Sequence, residues 1–141
     1  MSDKIKKTVT FPATYESLAA ISKFVIAAAE SAGLDEKAAY SLQLAVDEAC
    51  SNIIEYAYED LEAQGITCTC RVSDRSITVT LRDEGRPFNP EEAPEPDLCS
   101  PLEERQVGGL GLYFIRQLMD EVRFSCSPDG GNVLTLVKHR H

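Results

Sequence analysis

Residues 66–82, ITCTCRVSDRSITVTLR, alternate apolar and polar side chains in two short runs that a polar turn separates. The first run places its isoleucine, cysteines and valine on one side and its threonines on the other, and residues 77–81 repeat the pattern. A period of two residues predicts β-strands with one buried face. The short turn over residues 73–76 predicts that the strands form an antiparallel hairpin, so the fold is organised around a sheet.

The residues before the hairpin change to helical spacing, in two segments that meet near Gly33. Thr14 is expected to cap the first helix, Gly33 to end it and Asp35 to open the second, because these residue types favour those positions. Apolar residues three and four apart predict that each helix has one buried face. The first stripe is Leu18, Ile21, Val25, Ala28 and Ala32. The second stripe is Leu42, Val46, Ala49, Ile53 and Tyr56.

Three further strands and a third helix complete the predicted order. The strands cover residues 5–11, 121–127 and 132–138, and the helix runs from Leu112 to Asp120. Strands that follow one another through tight turns pair antiparallel, and the helices can cover one face of the sheet. We therefore expect an α+β fold, a two-layer α/β sandwich with a mostly antiparallel mixed sheet and helices on one face, forming a single domain over residues 1–141.

The composition excludes several classes of protein. A chain of 141 residues with 43% hydrophobic and 26% charged residues is typical of one soluble globular domain. The net charge of −9 disfavours binding to nucleic acid or to an anionic membrane surface. No apolar run approaches the roughly 20 residues that span a bilayer, and residues 1–10 lack the apolar core of a secretory signal. A cytoplasmic location is therefore expected.

The cysteines favour a reduced, structural role. An odd count of five, without a secretory signal, predicts free thiols. Cys68 and Cys70 form a Cys-x-Cys pair that is compatible with a zinc site, but no second pair follows, and both histidines, His139 and His141, lie at the end of the chain. Core packing is therefore the favoured interpretation, and a Cys–His protease is disfavoured.

Glu48 and Asn52 form the first of three patterns that are compatible with chemistry. They lie four residues apart and so share one face of the second helix. They flank the apolar stripe rather than fill it, since they sit roughly 120° and 80° from its centre. An amide oxygen is a neutral hard ligand for Mg²⁺, and a carboxylate can accept a proton from a nucleophile. Taken alone, the pair is more simply a solvated helix flank.

The other two patterns contain glycine. Asp83 ends a predicted strand and is followed by Gly85. Such a carboxylate can accept a hydrogen bond from an exocyclic amine, and glycine lets a ligand approach the backbone. Gly109, Leu110 and Gly111 precede the third helix, where free N–H groups and the helix dipole favour an anion. An ordinary turn explains either pattern on its own.

A long stretch without an apolar pattern lies between these two turns. Residues 84–107 hold five of the seven prolines and seven acidic residues. A loop of this length inside a compact domain is usually a lid or a disordered segment. The chain contains no P-loop motif and no lysine between Lys37 and Lys138, so a bound nucleotide would lack a lysine clamp.

Taken together and in this order, the patterns resemble the gyrase, histidine-kinase and MutL ATPase superfamily, whose fold is the Bergerat α/β sandwich. Three blocks, residues 47–52 (DEACSN), 83–88 (DEGRPF) and 108–122 (GGLGLYFIRQLMDEV), are similar to the anti-sigma factor serine kinases of bacterial partner switching. The resemblance extends over residues 5–138. It implies an ATP-binding kinase domain whose lid covers about residues 84–107.

The resemblance assigns roles to the residues that match the first two blocks. It makes Glu48 the general base toward a substrate serine, and Asn52 the ligand of Mg²⁺. It makes Asp83 the carboxylate that reads adenine, and Gly85 the glycine that lets the ring approach. Pro87 departs from a second glycine that some members of the superfamily have there, although the anti-sigma branch often lacks it.

The remaining roles concern the lid and the phosphates. Phe88 is expected to line the lid side of the nucleotide. Arg105 is the natural candidate to reach the γ-phosphate from the lid. The backbone amides of Gly109, Leu110 and Gly111 would surround the phosphates of ATP.

The resemblance also implies a function: an ATP-dependent protein-serine kinase and anti-sigma factor that phosphorylates a STAS-type anti-sigma antagonist. Its expected partners are that antagonist, an RNA polymerase sigma factor and a second copy of the chain in a homodimer. The alternative is a non-catalytic module that binds nucleotide and sequesters its partner. The catalytic domain of a histidine kinase is a weaker alternative, because no phospho-acceptor histidine precedes the motifs.

Overall fold

The computed structural model describes residues 5–57, 65–84, 109–127 and 131–140. They form five strands, three α-helices, a short 3₁₀ turn and a π-helical turn. None of these helices is both long and apolar enough to cross a membrane. In chain order the elements are β1 (Ile5–Pro12), the 3₁₀ turn (Tyr15–Ser17), α1 (Leu18–Ser31), α2 (Glu36–Asn52), the π turn (Ile53–Ala57), β2 (Gly65–Val72), β3 (Ser76–Asp83), α3 (Gly109–Leu118), β4 (Glu121–Ser127) and β5 (Gly131–His139).

The described strands form one sheet in the order β1-β2-β3-β5-β4, and every neighbouring pair is antiparallel. The predicted hairpin is β2–β3, with Cys68 opposite Leu81. On its other side β3 pairs with β5, so that Asp83 lies opposite Asn132. The α+β class and the antiparallel character of the sheet are confirmed, and β3 is the central strand.

The core lies between one face of the sheet and the helices, as predicted for a two-layer sandwich. Alternate residues of β2 and β3 are buried, because successive side chains of a strand point to opposite faces. The opposite face is polar on β1 and β2, where the hydroxyls of Thr8 and Thr69, and those of Thr10 and Thr67, lie 3.0 Å apart. The fully buried core side chains include Ile21, Val25, Leu42, Val46, Ile66, Ile77, Leu81 and Leu136.

Strand β1 lies at the edge of the sheet, and its apolar face is only partly covered. Ile5 and Val9 keep 37% and 39% of their surface exposed, whereas Phe11 packs against the core. The ring of Phe11 meets that of Phe24 on α1 edge to face, with ring centroids 5.9 Å apart. Helix α1 packs over β2 and β3, and Ile5 and Val9 of the edge strand remain partly uncovered.

Local chemistry determines the junction between α1 and α2. Gly33 has a positive φ of 75°, the left-handed conformation that ends a helix. Asp35 Oδ1 accepts a hydrogen bond from the Ala38 N–H at 2.7 Å and so caps α2, as predicted. The prediction for Thr14 is wrong in detail, because a 3₁₀ turn precedes α1. The Thr14 hydroxyl lies 3.3 Å from the Ser17 hydroxyl and makes no capping bond.

Helix α3 begins at Gly109, three residues before the predicted start at Leu112, and ends at Leu118 rather than Asp120. A glycine in a helix interior is less stable than an alanine by about 1 kcal/mol. The glycines are therefore expected to lie before the helix. Packing anchors the helix farther along, because Ile115 is buried in the core and α3 packs against α2. The prediction of the helix holds, and its boundaries are corrected.

Removing the Asp35 cap should destabilise the fold without changing the core. Asp35→Ala leaves the Ala38 N–H without its acceptor and should lower the free energy of unfolding by about 1 kcal/mol. Asp35→Asn keeps an acceptor oxygen and is the matched control, with an expected loss of roughly 0.3 kcal/mol from the missing charge near the helix N-terminus. Urea titration followed by circular dichroism measures both losses. Equal losses would show that the capping bond does not stabilise α2.

Candidate functional site

The polar face of α2 carries the first predicted pair. Glu48 and Asn52 are both half-buried and lie one helical turn apart, beside a face on which Ala45 and Ala49 are buried. This is the flanking position that the sequence predicts. Half-burial leaves the side-chain oxygens within reach of a ligand, and it strengthens their electrostatic interactions relative to bulk water.

The helix geometry changes immediately after Asn52. Residues Ile53–Ala57 form a π-helical turn, whereas the apolar stripe predicts an uninterrupted α-helix. Ile53 still reaches the core, so the wider turn preserves its apolar anchor. The hydroxyl of Tyr15 donates to Glu55 Oε1 at 2.6 Å and joins this turn to the segment before α1. Single π turns next to α-helices are frequent at functional sites.

Asp83 ends β3 and is buried, with 4% of its surface exposed. A carboxyl group is costly to bury unless it is hydrogen-bonded. Asn132 lies opposite it in the register, is equally buried, and donates from Nδ2 to Asp83 Oδ1 at 2.9 Å. Sequence reasoning misses Asn132, because 49 residues separate the pair and only the β3–β5 register brings them together. Asp83 is therefore part of a buried polar pair, whereas Gly85 of the predicted Asp-x-Gly turn lies outside the described residues.

The start of β5 approaches the end of β3 very closely at Gly131. This residue has a φ of 84°, and a Cβ on it would overlap the carbonyl oxygen of Asp83. Glycine meets both conditions without strain, whereas any other residue would displace one of the strands. Gly131 therefore permits Asn132 to lie opposite Asp83.

The glycine-rich segment Gly109, Leu110 and Gly111 forms the first turn of α3, rather than a loop before it. The N–H groups of a first turn have no intrahelical partner and carry the positive end of the helix dipole. The expected anion-binding role is thus compatible with the observed placement. Helix α3 packs against α2, the helix that carries Glu48 and Asn52.

Part of the predicted site lies outside the described residues: Gly85, Phe88, Arg105 and the expected lid beyond Glu84. The described part consists of the end of β3, the start of β5, the polar face of α2 and the first turn of α3. The strands β3 and β5 and the helices α2 and α3, which carry these parts, all contribute side chains to one hydrophobic core. Packing therefore holds them in fixed relative positions.

Three cysteines lie in the core. Cys50, Cys68 and Cys70 are buried free thiols, and the part of the chain that the structure describes contains no cluster of three or more metal-binding side chains. Burial and the neighbouring charge of Asp47 raise the pKa of the Cys50 thiol to about 12. The hydrogen bond to Cys70 and burial raise the pKa of Cys68 as well. Buried thiols of this kind act as small apolar side chains, in agreement with the predicted structural role.

Several proteins of known family match this chain. Residues 11–138 match the model of the histidine kinase-like ATPase domain. The serine/threonine-protein kinase BtrW of Bordetella bronchiseptica is 33% identical over 71% of this chain and 70% of its own length. The serine-protein kinase RsbW of Halalkalibacterium halodurans is 30% identical over 92% of this chain and 80% of its own length. The anti-sigma F factor of Bacillus licheniformis is 30% identical over 70% of this chain and 67% of its own length.

Two solved structures share the fold. The RsbU and RsbW domains of Rv1364c from Mycobacterium tuberculosis superpose with a TM-score of 0.70 at 18% identity, which covers 98% of this chain and 34% of that chain. The histidine kinase domain of a blue-light activated histidine kinase from Erythrobacter litoralis superposes with a TM-score of 0.55 at 20% identity. This match covers 91% of this chain and 61% of that chain. At these identities the likeness shows the fold alone.

The match to residues 11–138 shows that the chain belongs to the histidine kinase-like ATPase family. Within that family it belongs with the anti-sigma factor serine kinases, a branch of protein serine/threonine kinases that its curated relatives represent. The family resemblance stated from the three sequence blocks is thereby confirmed. The solved structures likewise agree with the expected two-layer sandwich.

The raised pKa of Cys50 predicts slow alkylation in the folded protein. With a pKa of about 12, only about one thiol in ten thousand is ionised at pH 8, and the thiolate is the reactive form. Iodoacetamide should therefore label Cys50 at least about a hundred-fold more slowly in the native protein than in guanidinium, as followed by peptide mass spectrometry. The rate in the native protein should rise with pH up to that pKa. Similar rates in the two states would contradict the burial of this thiol.

Proposed function

We propose that the chain is an ATP-dependent protein-serine kinase and anti-sigma factor that phosphorylates a STAS-type anti-sigma antagonist. The observation that carries the proposal is the placement of Glu48 and Asn52 on one half-buried face of α2, in a chain whose relatives are named serine-protein kinases. One relative is named an anti-sigma F factor, which supports a sigma factor as the second partner. In this proposal the antagonist is the substrate and the sigma factor is the sequestered partner.

ATP is the nucleotide that the family implies, and the described residues are compatible with it. In the proposal, the carboxylate of Asp83 accepts a hydrogen bond from the exocyclic amine of adenine, and Gly85 lets the ring approach the backbone. The N–H groups of Gly109, Leu110 and Gly111 surround the phosphates at the start of α3. Base and phosphates are thus assigned to different elements of the fold.

Magnesium fits the donor available at Asn52. The amide oxygen is a neutral hard ligand, and Mg²⁺ commonly takes one or two protein oxygens and completes its shell with phosphate and water. The described residues hold no cluster of three or more His, Cys, Asp or Glu side chains, so nucleotide phosphates and water would supply most of the other ligands. Residues 84–107 are the proposed lid, with Phe88 lining the nucleotide and Arg105 reaching toward the γ-phosphate.

The chemistry assigned to Glu48 is proton removal. Its carboxylate accepts the proton of the substrate serine hydroxyl while that oxygen bonds to the γ-phosphorus, the bond to the bridging oxygen breaks and ADP leaves. The N-terminal end of α3 stabilises negative charge on the phosphate oxygens, and bound Mg²⁺ supplies further charge neutralisation. No lysine lies between Lys37 and Lys138, so these sources replace the strand lysine of other protein kinases.

A homodimer in the cytoplasm is the proposed state of the chain. The edge strand β1 exposes Ile5 and Val9, apolar side chains that a second copy would cover. Stable interfaces bury about 800 Å² per partner, so these two residues would form only part of the contact. The buried free thiols Cys50, Cys68 and Cys70 fit a reducing compartment.

Loss of the Asp83 carboxylate should abolish stabilisation by nucleotide. At a nucleotide concentration about 100 times Kd, binding adds about 2.7 kcal/mol to the free energy of unfolding, which raises Tm on the order of 5–10 °C for a domain of this size. Asp83→Asn should remove most of this rise with Mg-ATP and with Mg-ADP. The amide can satisfy Asn132 through its oxygen, but its nitrogen then faces the adenine amine and cannot accept a hydrogen bond. Thermal unfolding with and without nucleotide measures the effect.

Glu84→Gln is the matched control for this variant. Glu84 is the next residue, is exposed, and pairs with Arg82 at 3.1 Å between Oε1 and Nε. Its substitution should leave the rise in Tm at the wild-type value. Absence of any rise in the wild type at millimolar nucleotide would contradict the proposed ATP site and leave a partner-sequestering module on this fold.

Glu48→Gln should abolish phosphoryl transfer to a STAS-type antagonist and spare nucleotide binding. Loss of a general base slows transfer by roughly 10²–10⁴-fold, while the nucleotide-induced rise in Tm should remain. Asp47→Asn is the matched control, because its side chain points about 100° away around α2. Transfer of a radiolabelled γ-phosphate to the antagonist is the measurement. Unchanged transfer would refute the base assignment. A wild type that binds nucleotide and antagonist without transfer would favour the non-catalytic alternative.

A further inference from the structure

Asn132 has no role in the function proposed above, although it touches the carboxylate assigned to adenine. Its Nδ2 donates to Asp83 Oδ1 at 2.9 Å, and each of the two residues is 4% exposed. The two residues face each other across the antiparallel pair β3–β5. They form the last pair of the β3–β5 ladder, and the backbone pairing that precedes it holds the contact in place.

The residue before Asn132 adds a second constraint. Gly131 adopts a φ of 84° and lies so close to Asp83 that a Cβ would overlap its carbonyl oxygen. Any other residue would push the start of β5 away from β3 and lengthen the contact between the side chains. A restricted backbone position thus serves to bring Asn132 to Asp83.

Stability alone does not explain a polar pair at this place. Two buried polar partners can be replaced by apolar groups of the same shape at little cost in the free energy of unfolding. The next inward pair on the same face of these two strands, Leu81 and Leu134, is apolar. A carboxylate and an amide at the strand ends are better explained by what the carboxylate presents to a ligand.

We propose that Asn132 is a positioning residue for nucleotide recognition, which orients the Asp83 carboxylate so that it selects the exocyclic amine of adenine. This inference rests on the adenine role proposed for Asp83. An ionised carboxylate only accepts hydrogen bonds, so Asn132 must turn its NH₂ group toward Oδ1. The bond restricts the last torsion of the aspartate side chain, which is otherwise broad. It thereby fixes the direction from which Asp83 accepts an amine donor.

The expected consequence is selectivity for the amine rather than stronger binding of every purine. A hydrogen bond to a charged group changes affinity by roughly ten- to a hundred-fold. Purine riboside 5′-diphosphate differs from ADP only in having hydrogen in place of the 6-amino group. The wild type should therefore bind ADP more tightly than this analogue by about that factor.

Asn132→Val and Asn132→Thr form the matched pair of variants. Valine and threonine have nearly the same shape and both suit a strand, but only threonine keeps a donor for Asp83. Isothermal titration calorimetry with ADP and with purine riboside 5′-diphosphate, each with Mg²⁺, gives the two Kd values and their ratio. In Asn132→Val the affinity for ADP should fall about ten-fold or more while that for the analogue changes less than about two-fold. In Asn132→Thr the ratio should recover at least in part.

Leu134→Ala is the control for a general effect on β5. Leu134 is the next inward residue on the same face of the strand, and its truncation removes packing without removing the hydrogen bond to Asp83. Its ratio of Kd values should equal that of the wild type. Thermal unfolding verifies that each variant is folded, and Asn132→Ala replaces Asn132→Val if the valine variant is not.

Two results would overturn the inference while the ATP site stands. One is an equal loss of affinity for both nucleotides in the variant without a donor, since a merely structural role affects both alike. The other is that Asn132→Val keeps the wild-type affinity for ADP and the wild-type ratio of the two Kd values. A wild type that binds neither nucleotide, or binds both equally, would instead refute the adenine role of Asp83, and this inference with it.

Discussion

The pairing of β3 with β5 is the constraint on which the site depends. It places the last described strand beside the central one, so residues near the end of the chain become neighbours of Asp83. The same pairing extends the core from the hairpin to Leu136, which is fully buried. A slip of one residue would turn the alternate side chains of β5 to the other face and bring Val133 opposite Asp83. The apolar register of the core therefore also fixes the polar contact at the strand ends.

Local signals predict most of the fold. The alternation in residues 66–82 predicts the central hairpin, and Gly33 and Asp35 mark the junction of α1 and α2 where the structure has it. The errors occur where distant packing decides. Helix α3 starts at Gly109, within a glycine-rich segment that local propensity places outside a helix. The π turn after Asn52 likewise has no counterpart in the apolar spacing.

The residues of the candidate site also fall into those that local sequence patterns predict and those that only the tertiary structure reveals. Glu48 and Asn52 share a face because they lie within one helix, so their spacing alone predicts it. Asp83 could be singled out from the turn that follows it, and the family blocks gave it a role. Asn132 belongs to none of the three blocks, and its relation to Asp83 comes from a strand register over 49 residues. A buried partner supplied by another strand is the kind of site residue that motif reading misses.

The acidity of the chain bears on how it would hold a triphosphate. A net charge of −9 repels an anion at long range, but surface charges are screened beyond about 8 Å at physiological ionic strength. In the proposed function the attraction is local, from the first turn of α3 and from Mg²⁺ beside Asn52. In the same proposal Asp83 contacts the uncharged end of the nucleotide, so that its carboxylate would read the base and would not face the phosphates. Assigning base and phosphates to separate elements would thus reconcile an acidic protein with an anionic ligand, and it would make affinity depend on the bound cation.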